Sequence, residues 1–322
     1  LNYPEDSAGR IMSRDFVSIP DNWTVREARQ YLLNNEELPD DFYTIFLVDE
    51  KTLKPTGEIA LDKLLRAKGD EKLNSIMDGE IVPVDVYTDQ EEVAHMFREY
   101  GWMSAMVVDN KGRLIGVINI DDVVEIVHEE TNEDMMLLTG AESNDVYRSV
   151  FSIFKSRSIW LVTNLFATIV AASVVGEFQD IIAQLSILAV LMPIVASRGG
   201  TTGQQTLAVV VRSLATKELN SRNALRMIGK EFMVGLCNGL LFAVMIGIAV
   251  RIWFPGQEMI SYIIALAMLC NLTVASLAGI LIPLTINRLK IDPAIASGVF
   301  LIACTDSGGY FIFLGLAKLL LF

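Results

Sequence analysis

The sequence predicts two folds in one chain: an α+β soluble half, followed by an all-α polytopic membrane half of five transmembrane helices. Three observations carry that prediction. Charge is divided, because residues 1–158 hold 32 acidic and 16 basic side chains whereas residues 159–322 hold 7 and 10. The front half contains two copies of one unit, and the back half contains five long apolar segments. A front half with a net charge of −16 lacks the Lys and Arg excess that neutralises phosphates. That argues against nucleic acid as a partner and fits a cation-binding or simply soluble surface.

The repeat is read from matched stretches. "GRIMSRDFVSI" is answered by "NSIMDGEIVPV", so Ile11-Met12 corresponds to Ile76-Met77. "TVREARQYL" and "DQEEVAHMF" both have the period of an amphipathic helix, and "YTIFLVDE" and "MSAMVVDN" are apolar strands ending in Asp49 and Asp109. "GEIALDKLL" and "GVINIDDVV" close each copy with a strand and a helix. A β-α-β-β-α unit of this size buries little alone, and two copies packed together share a core.

This pattern resembles a tandem pair of CBS domains, at residues 1–72 and 73–128. The resemblance implies a regulatory module, and in many such pairs an adenine nucleotide is held by a Gly, a Ser or Thr three residues on, and an Asp three beyond. Here the second copy has Gly116, Asn119 and Asp122 and the first has Gly57, Ala60 and Lys63. Both depart at the hydroxyl, and the first also lacks the acid.

The run "DDVVEIVHEETNED" follows. On a helix Asp121, Asp122, Glu125, Glu129, Glu133 and Asp134 recur every three or four residues, so several carboxylates share a face. Like charges so spaced destabilise a helix unless something neutralises them. A hard divalent cation does this with carboxylates and water, Mg2+ keeping several of its waters; a solvated helix face is the other reading. "TDQEEV" adds Asp89, Glu91 and Glu92 as further acids. His95 and His128 are the only histidines. One imidazole among carboxylates is no transition-metal site, and no set of nucleophile, base and orienting group stands out, so an enzyme is not expected.

The apolar segments cover roughly residues 158–175, 181–211, 232–253, 260–286 and 294–320, the first being the shortest. Most reach the ~20 residues needed to cross a bilayer. Arg212, Lys217, Arg222, Arg226 and Lys230 separate segments two and three, and Arg288 and Lys290 separate four and five. The positive-inside rule places these loops and the front half in the cytoplasm of a cell-membrane protein, with the C-terminus outside. Trp160 and Trp253 suit the interfaces. Cys237, Cys270 and Cys304 have no metal or redox spacing and read as buried free thiols. The chain opens on Leu1-Asn2-Tyr3-Pro4, which reads as truncated at its front.

Two polar stretches interrupt the apolar run. "MPIVASRGGTTGQQT" puts Pro193, Arg198, Gly199, Gly200, Thr201, Thr202, Gly203, Gln204 and Gln205 at bilayer depth, and predicts a helix broken in its middle. Glycines alone fit close helix packing. The amides, hydroxyls and Arg198 together fit a polar lining, since such groups need protein or water around them. "ACTDSGGY" places Asp306 inside segment five, flanked by Thr305, Ser307, Gly308 and Gly309. An acid at that depth costs about 2.5–3.5 kcal/mol on insertion scales and is functional by default. A structural pair with Arg198 is the alternative. One carboxylate per chain is few for a divalent ion, and a symmetric dimer presents two.

Tandem CBS units, an acidic connecting helix, five membrane segments, the "P…GG…TG..Q" pattern and "DPA…TDSGG" together resemble the MgtE family of magnesium channels, over essentially the whole chain. The resemblance implies a homodimer in the lipid bilayer, a pore on its two-fold axis made mainly by helices two and five, and Mg2+ as both transported and regulatory ion. It places the central pore aspartate on Asp306 and the aspartate opening helix five on Asp292. The helix-two motif falls on Pro193 and on Gly199 through Gln205. A connecting "plug" helix is expected from near Glu129 to about Phe151, within a segment 129–155 ahead of the membrane domain at 156–322. Its sensing carboxylates fall on Glu129, Glu130, Glu133 and Asp134, facing Asp89, Asp121, Asp122 and Glu125, with Glu92 nearby. The family usually has Asn where this chain has Thr201, commonly Asn at Gln204, a polar or small residue at Arg198, and often Asn at Gly298. Ion-coupled exchange of divalent cations is associated with relatives of the family and forms the second expectation; an adenine-nucleotide sensor on a membrane anchor forms the third.

Overall fold

The computed structural model describes residues 3–39, 41–78, 81–138, 140–141, 148–219 and 222–321, with the side chains of Asp134, Ile295 and Ala296 left aside. The chain divides into two compact units, residues 1–131 and 132–322.

The first copy of the repeat comprises α1 (Ala8–Ile11), β1 (Ser18–Pro20), α2 (Val25–Asn34), β2 (Thr44–Val48), β3 (Pro55–Ala60) and α3 (Leu61–Arg66). The second comprises α4 (Leu73–Ile76), β4 (Val84–Asp85), α5 (Gln90–Tyr100), β5 (Ser104–Val108) and β6 (Leu114–Asn119), and runs into α6 (Ile120–Leu137). Each forms a three-stranded sheet with a parallel then an antiparallel pairing, and each has a register shift at the same place, Leu47/Val48 and Val107/Val108. Thr24 and Glu27 form a reciprocal capping box that starts α2, while Asp89 caps α5 and the left-handed Gly101 ends it.

The aspartates after β2 and β5 build the hairpin turns. Asp49 accepts from the backbone of Lys51 and Thr52, and Asp109 accepts from the backbone of Lys111 and Arg113 and from the Arg113 guanidinium. The Arg113 bonds hold the Asp109 carboxyl down to about 2. A depressed acid stabilises the fold above its unfolded value, 3.8, and that contribution disappears as pH falls toward 2. Asp109→Asn is therefore expected to lower the melting temperature at pH 7, with the gap to the parent narrowing below about pH 4.

The two copies interlock reciprocally. Met77 of the second fills the space over Gly57 of the first, and Met12 of the first fills the space over Gly116 of the second; a Cβ on either glycine would lie 2.6 Å from the methionine sulfur. Matching bridges join Glu58 to Asp78 and Ser13 to Val117. Phe46, Val48, Met106, Leu114 and Val117 form an apolar cluster drawn from both copies. The Ile-Met pairs recognised in the sequence are thus the clasp between the repeats.

The second unit contains α7 (Val150–Gly176), α8 (Gln179–Gln184), α9 (Ile187–Ala215), α10 (Ala224–Trp253), α11 (Glu258–Arg288) and α12 (Pro293–Leu321). By length and composition α7, α10, α11 and most of α12 qualify to cross a membrane. At 29 residues α9 is long enough, about 43 Å at ~1.5 Å per residue, but its middle is polar. The helix α11 is central, packing against α9, α10 and α12, while α12 also packs against α7. Its buried face, including Ile263, Ile264, Ala267 and Leu272, meets Leu188, Leu191 and Val195 of α9 and Phe313 and Leu314 of α12.

The first apolar segment is the shortest, as expected: α7 has 27 residues against 29–31 for α9, α10, α11 and α12, and is still long enough to cross. Two expectations are corrected. The helix α9 runs unbroken through Pro193 and the glycines. Pro193 deletes one backbone bond, whereas unwinding would leave many groups unsatisfied where water is scarce. The acidic helix begins at Ile120 as part of the second repeat and ends at Leu137, with Gly140 at φ 72°. It does not reach Phe151, which belongs to α7; residues 139 and 142–147 of the expected plug lie outside the described residues.

Close approach of α9 and α11 depends on glycine. A Cβ on Gly279 would lie 2.6 Å from the Gly203 carbonyl oxygen and 2.8 Å from the Thr206 Cβ. Gly279→Ala should cost about 1–3 kcal/mol, the usual range for overpacking. A lowered melting temperature in detergent would show it; an unchanged one would mean the helices separate freely.

Candidate functional site

The site is assembled from α9 and α12. Along α9 the buried positions Val195, Gly199, Gly203, Thr206 and Val210 form one face, and the exposed positions Pro193, Ser197, Arg198, Thr201, Gln204 and Gln205 form another. The polar side chains of the motif are segregated by the helical period onto a surface stripe. Thr201 donates its hydroxyl to the Ser197 carbonyl at 2.9 Å, a bond internal to the helix that leaves the stripe's outer side accessible.

The glycines divide. Gly199 abuts the Asn271 carboxamide and Gly203 abuts Leu301, so both are packing positions within the bundle, as the close-packing reading expects. This corrects their placement on the lining. Gly200 and Thr202 are half-buried; a Cβ on Gly200 would have Thr305 Oγ1 as its neighbour, at 3.9 Å. Thr305 is 2% exposed and returns its hydroxyl to the Leu301 and Ile302 carbonyls, which removes it too from a lining. Asp306, one residue on, is rotated from this seam by the helical period and is half-buried. Ser307 is partly exposed as a residue, yet its Oγ is buried without a hydrogen-bond partner.

The alternative pairing of Arg198 with Asp306 is not formed. The Arg198 guanidinium lies over the Phe242 ring of α10, 5.8 Å from its centroid. Asp292 accepts from the Ala294 backbone N–H at 2.8 Å, capping the start of α12. Gly298 lies beside Trp160 and the Leu138 carbonyl, a position where a larger side chain would push on the connecting segment.

On α6, Asp121, Glu125, Glu129 and Glu133 form one exposed stripe at four-residue spacing. Asp122 and Glu130 are more sheltered. Burial raises the Asp122 carboxyl above its usual range, the Asn119 N–H opposes this, and Asp121 and Glu125 add to it. Gln90 at the start of α5 donates to Glu130 at 2.5 Å, so the two acidic segments meet there. Asp89 is engaged in capping α5 through the Glu91 N–H, and Glu92 is exposed on the same helix. Among the described residues no three acids converge into one metal-sized cluster; the Asp134 side chain lies outside them. At the nucleotide positions, Asn119 accepts from Ser104 at 2.6 Å and Lys63 pairs with Asp78 at 2.5 Å.

Several polar groups escaped the sequence reading. Asn271, 1% exposed, donates to the Val195 carbonyl at 2.7 Å, and Thr206 donates to Glu231 of α10 at 2.8 Å. The signal was a lone Asn in an apolar run and an acid beside "GK". The three cysteines are free, but Cys237 and Cys304 are exposed on helix faces and Cys270 is intermediate, which corrects the expectation of buried thiols.

A pair of interlocked α+β repeats, followed by a helical bundle that carries a polar stripe and a half-buried acid within apolar helices, defines a membrane transport protein with an α+β module. Comparison with known proteins agrees. Residues 192–316 match the MgtE family, described as divalent cation transporter, and residues 8–70 and 73–129 each match the CBS domain. The magnesium transporter MgtE of Enterococcus faecalis is 33% identical over 319 residues, covering 99% of this chain and 70% of that protein. That of Bacillus subtilis is 30% identical over 318 residues, covering 98% and 70%. Among solved structures, the soluble part of a magnesium transporter matches at 32% identity over 40% of this chain and 50% of that one, with a TM-score of 0.39. The cytosolic domain of the Mg2+ channel MgtE in complex with ATP matches at 35% identity over 38% and 50%, with a TM-score of 0.37. The chain belongs to the MgtE family of divalent cation transporters.

Proposed function

We propose that two copies of this chain form a Mg2+ channel whose permeation path is bounded by the exposed stripe of α9 and by Asp306 of α12. The observation that carries this reading is the stripe itself. Ser197, Arg198, Thr201, Gln204 and Gln205 lie on the outside of a single protomer within a helix of membrane-spanning length. Polar groups at that depth face water or other protein rather than lipid. A second copy across a two-fold axis supplies both, and it brings a second Asp306 to the same path. The names of the relatives, magnesium transporters at 30–33% identity, support Mg2+ as the ion.

Two carboxylates attract a largely hydrated Mg2+, and hydroxyls, amides and backbone carbonyls contact its waters. Mg2+ dehydrates reluctantly, so a path that reads the hydrated ion avoids that barrier. Arg198 is held over Phe242 and does not neutralise Asp306 by an ion pair. On the soluble side, Mg2+ bridging the α6 acids to acids of a facing surface holds the closed arrangement, and its loss lets like charges separate. The basic loops after α9 and α11 support, by the positive-inside rule, a cytoplasmic position for this unit and an external C-terminus.

Purified protein in proteoliposomes tests the reading, with Mg2+, Mn2+, Co2+ and Ca2+ compared. Mg2+ entry down its own gradient supports a channel. Movement only against an opposing ion gradient would assign the same stripe to an exchanger, and no movement of any of the four would sink the proposal.

A further inference from the structure

Three helices meet at one carboxamide. Asn271 lies near the middle of α11, is 1% exposed, and donates Nδ2 to the Val195 carbonyl of α9 at 2.7 Å. Val195 precedes the polar stripe by two residues. The other sides of the same amide are closed by glycine: a Cβ on Gly199 of α9 would lie 2.5 Å from Nδ2, and one on Gly309 of α12 would lie 3.2 Å from Nδ2 and 3.3 Å from Oδ1. A methyl group on Gly199 would have to displace the amide, and one on Gly309 would need it to give by a few tenths of an ångström.

The contacts form a ladder. Gly203 faces Leu301, Gly200 faces Thr305, and Gly199 faces Gly309 with Asn271 between them, so α9 and α12 run antiparallel along this seam. Asp306 sits between the second and third rungs, turned toward the protomer surface. The separation of α9 from α12 at that level is therefore set by the thickness of one carboxamide. Its direction is set by a bond to α9, because a carbonyl oxygen within a helix still has a second lone pair to offer. A side chain without a donor there would fill space but would not register α9 against α11.

We propose that Asn271 is a positioning residue for the permeation path: its carboxamide spaces and registers α9 against α12 so that Asp306 and the Thr201–Gln205 stripe stand at the distance a hydrated Mg2+ requires. The inference rests on the path proposed above. Asn271 touches no ion; it acts through the backbone of α9 and the glycine of α12.

Two sets of variants test it on the full chain. Asn271→Ala in proteoliposomes is expected to raise the half-saturating Mg2+ concentration by about tenfold, as small misplacements of acting groups do, and to narrow the preference for Mg2+ over Mn2+, with maximal flux less affected. If flux falls only in proportion to lost thermal stability, with half-saturation and ion preference unchanged, Asn271 is merely structural and the proposal is overturned. The second set uses size complementation. Gly199→Ala should lower the melting temperature, and the double variant Gly199→Ala with Asn271→Ala should recover much of it, because the truncated side chain makes room for the new methyl. A double variant no better than Gly199→Ala would refute the spacer role. A parent protein without flux sinks the transport reading by itself, and the melting series still decides whether Asn271 sets the spacing.

Discussion

Asp306→Ala abolishes Mg2+ flux while the protein remains folded: uptake into proteoliposomes falls below about 1% of the parent, equivalent to about 2.7 kcal/mol of lost stabilisation for the permeating ion. The argument is positional. Asp306 is the acid of α12, half-buried, and rotated by one residue from the seam that its neighbour Thr305 makes with α9. Among the described residues it makes no ion pair, and Arg198 is held over Phe242. Removing the carboxylate therefore breaks no ion pair and opens no large cavity, and the melting temperature should change little. Normal flux through this variant, measured alongside an unchanged melting curve, contradicts the pore assignment outright.

The second large effect is on regulation. Neutralising Glu125, Glu129 and Glu133 to glutamine leaves the channel conducting at Mg2+ concentrations that close the parent, moving the inhibitory concentration upward by at least about tenfold, the order of a typical coupling energy of 1–3 kcal/mol. These carboxylates form an exposed stripe with Asp121 on α6, and the described residues of one chain gather no closed three-acid cluster around them. An open stripe gains most from a cation when a second surface faces it. The same substitutions relieve repulsion at four-residue spacing, so α6 itself should become more stable. Inhibition that stays at the parental concentration would refute the sensor.

Much of the soluble unit was legible because its repeat is written twice. Ile11-Met12 and Ile76-Met77 align the copies, and the structure places each methionine over the other copy's glycine. Asp49 and Asp109 end matching strands because each closes the same turn. The membrane unit was legible in composition and less so in direction. Pro193 and three glycines read as a break, yet a helix among apolar neighbours has no better partners for its backbone than itself. Gly199 and Gly203 could not be told from Gly200 without knowing which face α11 covers. Asn271 was passed over because its meaning lies in two distant glycines and a carbonyl 76 positions away. The end of the acidic helix was misplaced because Gly140 stops it while the charge pattern runs past.

The central claim is that the polar stripe of α9 faces water, and cysteine accessibility measures that most directly. In a background with Cys237, Cys270 and Cys304 replaced by alanine, single cysteines at Thr201 and Gln205 are compared with cysteines at Leu165 of α7 and Val244 of α10, apolar positions exposed on other helices. A membrane-impermeant, positively charged thiol reagent applied to proteoliposomes should modify the cysteines at 201 and 205, more slowly when Mg2+ is present, and leave those at 165 and 244 largely unreacted. Equal reaction at all four, or modification of 165 and 244 alone, would contradict a water-filled path along this stripe.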